Sequence, residues 1–192
     1  MTAQWNILNN MEFIQGPIAG LVLIRHKRWE DNRGSFMEQY NQDLFYENGI
    51  TANFVQDNVS ISHKDVLRGL HAQSSPHAQG KLVRVLQGKA WDVVVDIRKD
   101  SPTYGQYTSL ELNADEPLSF WIPPGFLHGF VSLADHTIFT YKVTAPYAPQ
   151  CEFGVRYDDP KIAIQWPQEA EQFIISDKDL NLPFLADIES PF

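Results

Sequence analysis

KLVRVLQGKAWDVVVDI, residues 81–97, is the stretch that decides the fold. Two runs rich in β-branched residues, 81–87 and 90–97, flank Gln87-Gly88-Lys89, where the glycine supplies the positive φ that a tight hairpin turn needs. Outward in both directions the same pattern repeats. Short runs rich in β-branched and aromatic residues recur at 21–25, 35–40, 54–62, 66–71, 107–112, 118–122, 129–133, 137–142 and 153–157, separated by turn residues, and almost no stretch has a period of 3.6. Eleven short strands without repeat or linker predict a single all-β domain over residues 1–192. The expected architecture is a double-sheet jelly roll or a small barrel, since both manage strand edges by sheet pairing or closure. A few short helices complete the reading. Asn41 caps one at 41–48 (NQDLFYEN), Gly49 stops it, and a helical turn or two is expected near 177–181.

Composition fits that picture and excludes others. The 192 residues are 43% hydrophobic and 20% charged, which suits a soluble globular chain rather than a fibrous, disordered or membrane-spanning one. A chain of this size removes roughly 70% of its extended surface from water on folding, so it needs no metal or disulfide staple. Its single cysteine, Cys151, could not form an intrachain disulfide in any case. No basic-apolar-small leader opens the sequence, and the longest apolar stretch, 16–24, is half of the ~18 residues that a membrane span requires. The expectation is a cytoplasmic protein. A net charge of −9 argues against nucleic acid and against anionic membranes as partners. An anionic ligand would need a local basic pocket.

Period-2 reading assigns side chains to faces. Phe54, Gln56, Asn58 and Ser60 share one face of 54–62, and Val55, Asp57, Val59 and Ile61 share the other. Tyr141 falls on one face with Thr137 and Phe139. Each of these polar groups can equally be a solvated strand position or a hydrogen-bonded core residue. Within fourteen positions, 68–81, stand Arg68, His71 and Lys81, types that are rarely buried without partners. Arg68 and His71 would lie on opposite faces of a regular strand, so a shared pocket requires a bulge, most easily at Gly69. Surface charges on a strand pair are the alternative.

A metal reading is also tested by the residues. Pro124-Gly125-Phe126-Leu127-His128 has the shape of the second half of a cupin metal motif, but the first half is missing. Gln73 stands where a second histidine would be needed, Lys81 would repel a cation, and His71 and His128 alone fall short of the three protein ligands usual for catalytic zinc. No metal site is expected. His26, His63, His77 and His136 sit in polar contexts and read as surface residues.

Eight blocks then carry a resemblance: Asp31-Asn32-Arg33-Gly34-Ser35-Phe36-Met37-Glu38, Phe54-Val55-Gln56-Asp57-Asn58, Leu67-Arg68-Gly69-Leu70-His71, Gln79-Gly80-Lys81-Leu82-Val83, Asp96-Ile97-Arg98 with Ser101-Pro102-Thr103, Ile122 through Phe130 (IPPGFLHGF), Tyr141-Lys142, and Ser176-Asp177-Lys178-Asp179. In this order, between Asp31 and Pro183, they resemble the dTDP-4-dehydrorhamnose 3,5-epimerase family. The resemblance implies a metal-free, cofactor-independent cupin jelly roll, typically a homodimer, that inverts C3 and C5 of dTDP-4-dehydro-6-deoxy-D-glucose. A related single-centre epimerase of a nucleotide-linked 4-keto-6-deoxy sugar is the alternative, because the same residues permit either outcome.

By that resemblance His71 matches the base, Asp179 its carboxylate partner, Lys81 the cation near the developing enolate oxygen, and Tyr141 the acid on the opposite face. Arg68 and His128 match groups that hold the substrate near the pyrophosphate and sugar, with Gln56 and Asn58 beside them. Tyr147 matches an aromatic that stacks on thymine; Arg33, Glu38, Glu152 and Lys178 match further nucleotide or sugar contacts. Both centres are α to the C4 ketone, so a poised base and a stabilised enolate suffice. Ala72 and Leu127 depart from the family pattern next to two of these positions. Residues 1–10 extend beyond its usual start without an assigned role.

Overall fold

The computed structural model describes residues 10–167 and 172–192, so the extension read at 1–10 lies, except for Asn10, outside the described residues. Among them the chain forms thirteen strands: β1 (Met11–Gln15), β2 (Val22–His26), β3 (Trp29–Asp31), β4 (Gly34–Phe36), β5 (Gln56–Ser62), β6 (Leu67–Gln73), β7 (Lys81–Gln87), β8 (Lys89–Asp96), β9 (Tyr107–Asn113), β10 (Leu118–Ile122), β11 (Phe126–Ser132), β12 (Thr137–Val143) and β13 (Glu152–Gly154). Two short helices accompany them, α1 (Gln42–Glu47) and α2 (Asp177–Leu180). The Asn41 side chain caps α1 by accepting from Leu44 N–H, as its sequence position anticipates.

All paired strands are antiparallel, in a six-stranded sheet ordered β1-β2-β10-β7-β12-β5 and a five-stranded sheet ordered β13-β6-β11-β8-β9. The inner eight strands, β10-β7-β12-β5 facing β6-β11-β8-β9, have the strand order of a jelly roll. β3 and β4 form a separate hairpin.

Three apolar layers follow from the alternation. Between the sheets lie Val83, Val85, Val94, Phe120, Phe130 and Phe139. Outside the five-stranded sheet, Leu70, Val93, Val95 and Leu127 are covered by Val155, Ile162, Ile164 and Leu185 of the C-terminal third. Outside the six-stranded sheet, α1 brings Phe45 onto Val22, Ile24, Leu82 and Trp121. β8 is therefore buried on both faces, which explains its nearly continuous apolar run.

Three expectations are corrected. The strand read at 35–40 stops at Phe36, because the chain then crosses the outer face of the six-stranded sheet, where Tyr40 packs edge-on against Phe45 and Phe54. β1 and β3 were not expected; β1 forms because it pairs along the whole of β2. His26, read as a surface residue, is 2% exposed. Its Nε2 lies 2.7 Å from Ser119 Oγ, and burial with Arg84 nearby pushes its pKa down to about 4, so it sits neutral in the layer under residues 37–40.

On β5 the usual burial is reversed. Its polar face turns inward, while Val59 and Ile61, with Val55 just before the strand, are 60–65% exposed along the sheet edge. Among the described residues no helix is long and apolar enough to cross a membrane.

Candidate active site

The site grows from a bulge in β6. His71 pairs with His128 and Arg68 with Phe130 across the β6–β11 ladder, so Gly69 and Leu70 oppose Gly129 alone. The extra residue turns Arg68 and His71 to the same inner face, as the sequence required. Gly69 is the residue that permits it: φ is +120°, and a Cβ there would lie 2.6 Å from Gly129 Cα. Gly129 answers in kind, leaving the two backbones free to approach.

His71 and Arg68 from β6, His128 and Phe130 from β11, Lys81 from β7, Tyr141 and Ser60 from β12 and β5, and Ser176, Lys178 and Asp179 at α2 line one cavity of about 300 Å³. The four residues read as catalytic are thus together. Asp179, held by the Ser176 cap of α2, takes a hydrogen bond from His71 Nε2 at 2.7 Å and one from Gly69 N–H at 3.3 Å. Burial raises the Asp179 carboxyl, but His71 and the Gly69 amide outweigh it and hold its pKa below the usual range. With a proton on Nε2 directed at the carboxylate, Nδ1 of a neutral His71 carries the free lone pair.

Lys81 donates from Nζ to the His71 carbonyl at 3.3 Å. Burial pushes its pKa down to about 8, against the pull of Asp92 and Glu152. Tyr141 comes from the opposite sheet; burial, aided by Glu152 and opposed by Arg68, raises its pKa, so its hydroxyl keeps its proton.

A chain of hydrogen bonds runs from Asn58 to Lys178, which lines the cavity. Gln56 Nε2 donates to Asn58 Oδ1 at 2.8 Å, Gln56 Oε1 accepts from Tyr147 N–H at 3.0 Å, and Glu152 accepts from Tyr147 Oη at 2.8 Å and from Lys178 Nζ at 2.5 Å. Burial alone would raise the Glu152 carboxyl; its two donors hold it low instead. Gln73, buried where the metal motif would need histidine, fastens this loop by bonding His77 O, Pro146 O and Ala148 N–H. Among the described residues no group of three or more His, Cys, Asp or Glu side chains is placed to hold a metal ion.

Six predicted contacts do not line this cavity: Gln56, Asn58, Tyr147 and Glu152 belong to the hydrogen-bond chain that reaches it through Lys178, and Arg33 and Glu38 are elsewhere. Arg33 sits on the β3–β4 hairpin with its side chain 84% exposed, paired to Asp31 at 2.6 Å and lining a separate surface cavity with Trp29 and Phe36. Glu38 accepts from Asn10 and Asn41 beside α1. Neither lines the cavity that holds His71 in its own chain. Ala72 and Leu127 also face away, into the layer outside the five-stranded sheet. Ser60, Phe130 and Ser176 of the lining were not anticipated as site residues, and neither was Asp92, which lies outside the lining. Asp92 on β8 is fully buried and accepts from His128 Nε2 at 2.8 Å. The signal for it was present, an acid within a strand buried on both faces, which must find a partner.

The sequence model of dTDP-4-dehydrorhamnose 3,5-epimerase matches residues 15–187. The chain belongs to the dTDP-4-dehydrorhamnose 3,5-epimerase family. A protein of that name from Methanothermobacter thermautotrophicus is 47% identical over 170 residues, covering 88% of this chain and 91% of the relative. A crystal structure of dTDP-6-deoxy-D-glucose-3,5-epimerase from Legionella pneumophila, in complex with dTDP-4-keto-L-rhamnose, superposes with a TM-score of 0.89 at 46% identity, covering 93% of this chain and 95% of that one. A 3'-monoepimerase from Streptomyces bikiniensis in complex with dTDP-quinovose matches at a TM-score of 0.84 and 32% identity, covering 90% and 87%. The jelly roll expected from the strand pattern is that of this family.

Proposed function

We propose that this epimerase inverts C3 and C5 of dTDP-4-dehydro-6-deoxy-D-glucose, with His71 as base and Tyr141 as acid. The observation that carries the mechanism is their placement. His71 projects from the five-stranded sheet and Tyr141 from the six-stranded sheet into one cavity. A sugar ring lying between the sheets meets a base on one face and an acid on the other, which is what inversion requires. A single group working from one face would return the proton it took.

The chemical steps follow from the groups present. His71 removes the proton α to the ketone, and Asp179 holds the ring so that Nδ1 points at the substrate. Charge then develops on the ketone oxygen, where the Lys81 ammonium supplies a fixed positive charge worth roughly 3 to 4 kcal/mol, the scale of a lost oxyanion donor. Tyr141 delivers a proton to the opposite face of the enolate. Arg68 suits the diphosphate through its planar fork, and Tyr147, Glu152 and Lys178 of the hydrogen-bond chain suit the nucleoside. Lys81, Arg68 and Lys178 reconcile a chain of net charge −9 with an anionic substrate.

A second copy of the chain is part of this proposal. The outward apolar face of β5 supports a homodimer, and with it Arg33 and Glu38 serve the cavity of the neighbouring copy. Light scattering is expected to give twice the 22.0 kDa chain mass; a monomer would remove both residues from substrate binding. A nucleotide-linked substrate likewise supports a cytoplasmic site of action.

Proton NMR of the substrate in deuterium oxide tests the reaction. Loss of both the C3 and the C5 signals is expected. The monoepimerase of similar fold favours one alternative, exchange at a single centre, and loss of one signal alone would select it. No exchange at either centre would sink both readings.

A further inference from the structure

The two histidines that face each other across β6 and β11 each hold a carboxylate, and only one of those carboxylates is explained by the proton transfers above. Asp92 stands on the inner face of β8, between Ala90 and Val94, in the layer packed between the sheets. It is 0% exposed. His128 takes one of its oxygens; Oδ1 is buried and has no hydrogen-bond partner among the described residues. An aspartate in such a place is costly unless a cation answers it.

The candidates can be enumerated, because the groups that face Lys81 from each packed element are few. β6 offers Arg68 and His71, β11 His128, β12 Tyr141, β13 Glu152, and α2 Lys178 and Asp179. Of the carboxylates, Asp179 is bonded to His71 and Glu152 to Lys178 and Tyr147. His128, nearly buried at the cavity wall, is pushed by burial toward its neutral form, with Lys81 and His71 adding to the push and Asp92 resisting it. With His128 neutral, Lys81 is the cation whose charged form Asp92 favours, acting across the cavity wall without a hydrogen bond between them.

We propose that Asp92 is a positioning residue with two effects: it keeps the Lys81 ammonium charged beneath the substrate, and it fixes His128 with its proton on Nε2. The second effect has a consequence for recognition. Nδ1 of His128 is then a lone pair, so the group it offers the substrate is an acceptor for a sugar hydroxyl and not a donor to phosphate. The placement of Lys81 under the ketone rests on the epimerase reading; the charge coupling of Asp92 to Lys81 does not.

The test therefore measures protonation directly. In protein labelled with ¹³C at lysine Cε, the Lys81 resonance, identified by its loss in K81R, is followed against pH in the wild type and in Asp92→Asn, which keeps a hydrogen-bond acceptor for His128 but removes the charge. We expect the Lys81 titration to move down by about one pH unit in D92N, the lower end of the effect of an opposite charge at close range. From a value of about 8, that shift lowers the charged fraction, and with it kcat/KM at pH 8, roughly five-fold. An unmoved Lys81 titration would overturn the proposal. The histidine ¹⁵N spectrum of the unaltered protein supplies a check that needs no variant to fold: His128 is expected neutral with hydrogen on Nε2, and hydrogen on Nδ1 would equally overturn it. Should the enzyme leave the dTDP-4-keto sugar unchanged while Lys81 still shifts, the substrate reading fails and the role of Asp92 stands.

Discussion

Two histidine–carboxylate pairs lie side by side on neighbouring strands, and their chemistry is the same while their surroundings are not. His71–Asp179 closes at 2.7 Å with side-chain exposures of 26% and 6%; His128–Asp92 closes at 2.8 Å with 7% and 0%. The first pair is built from a bulged strand and a four-residue helix at the cavity wall, so its histidine faces the cavity and solvent. The second is built from two central strands buried on both sides. Burial there disfavours the imidazolium, so His128 is suited to hold a fixed orientation and His71 to cycle a proton. On the proposed mechanism, what separates a base from an anchor in this fold is depth in the sandwich.

The comparison breaks most sharply at His71. His71→Ala should lower turnover by about two to four orders of magnitude, the usual range for a general base, while thermal unfolding stays close to that of the parent. Near-native turnover would strip His71 of its role and return the two pairs to equivalence. Tyr141→Phe comes next, with a loss of about two orders of magnitude in net epimerisation. Because proton removal belongs to the other sheet, deuterium exchange at one centre should persist in Y141F even where inversion is impaired. Native-rate inversion at both centres in that variant would require a different acid.

How much of this was readable from residues alone varies with the kind of signal. Alternation exposed the sandwich, since residues 81–87 and 118–122 match β7 and β10 end to end. Period 2 also put Gln56 and Asn58 on one face and Tyr141 on one face with Phe139, without deciding which face of β5 turns inward, and a pocket shared by Arg68 and His71 required a bulge, most easily at Gly69. β1 was not legible, because MEFIQ becomes a strand only by pairing with β2. The start of β11 at Phe126 was missed by three residues, since the Pro123-Pro124-Gly125 turn hides where extended pairing resumes. At the site, the first pair was legible through the ordered blocks that resemble the family. The second was half hidden: His128 stood out, but Asp92 sits in an apolar run where alternation draws the eye to valines. The outward apolar face of β5 was legible as a face and not as exposed, because exposure depends on which strand ends the sheet.

A pH profile sharpens the comparison through the group that lies between the pairs. Lys81 has its pKa lowered, so its charged form prevails below about 8 and is lost as pH rises through that value. If the ammonium stabilises the enolate, kcat/KM should fall on the alkaline side of about 8, roughly ten-fold for each further pH unit once the neutral amine dominates. Lys81→Arg should be slower at neutral pH, because a planar guanidinium does not reproduce the position of a compact ammonium, yet its alkaline fall should disappear from this window. A wild-type rate that stays flat from pH 7 to pH 10 would separate Lys81 from the chemistry.

The smallest effect belongs at the rim, where the Lys178–Glu152 ion pair joins α2, and with it Asp179, to β13. Lys178 is 56% exposed, and exposed pairs of this kind contribute about 0.2 to 1 kcal/mol, so Lys178→Ala should move the unfolding midpoint little. Its kinetic signature discriminates between two roles. If Lys178 acts chiefly as a contact for the nucleotide, KM rises a few-fold and kcat stays near the parent value, because ground state and transition state lose the same interaction. If the ion pair instead holds α2 so that Asp179 meets His71, kcat falls and KM does not. Asp179 has two attachments of its own that do not involve Lys178, the Ser176 cap and the Gly69 amide. The geometry therefore favours the first outcome, and steady-state kinetics of K178A decides it: a fall confined to kcat would show that the exposed pair depends on its rim contacts for the orientation that the buried pair obtains from packing.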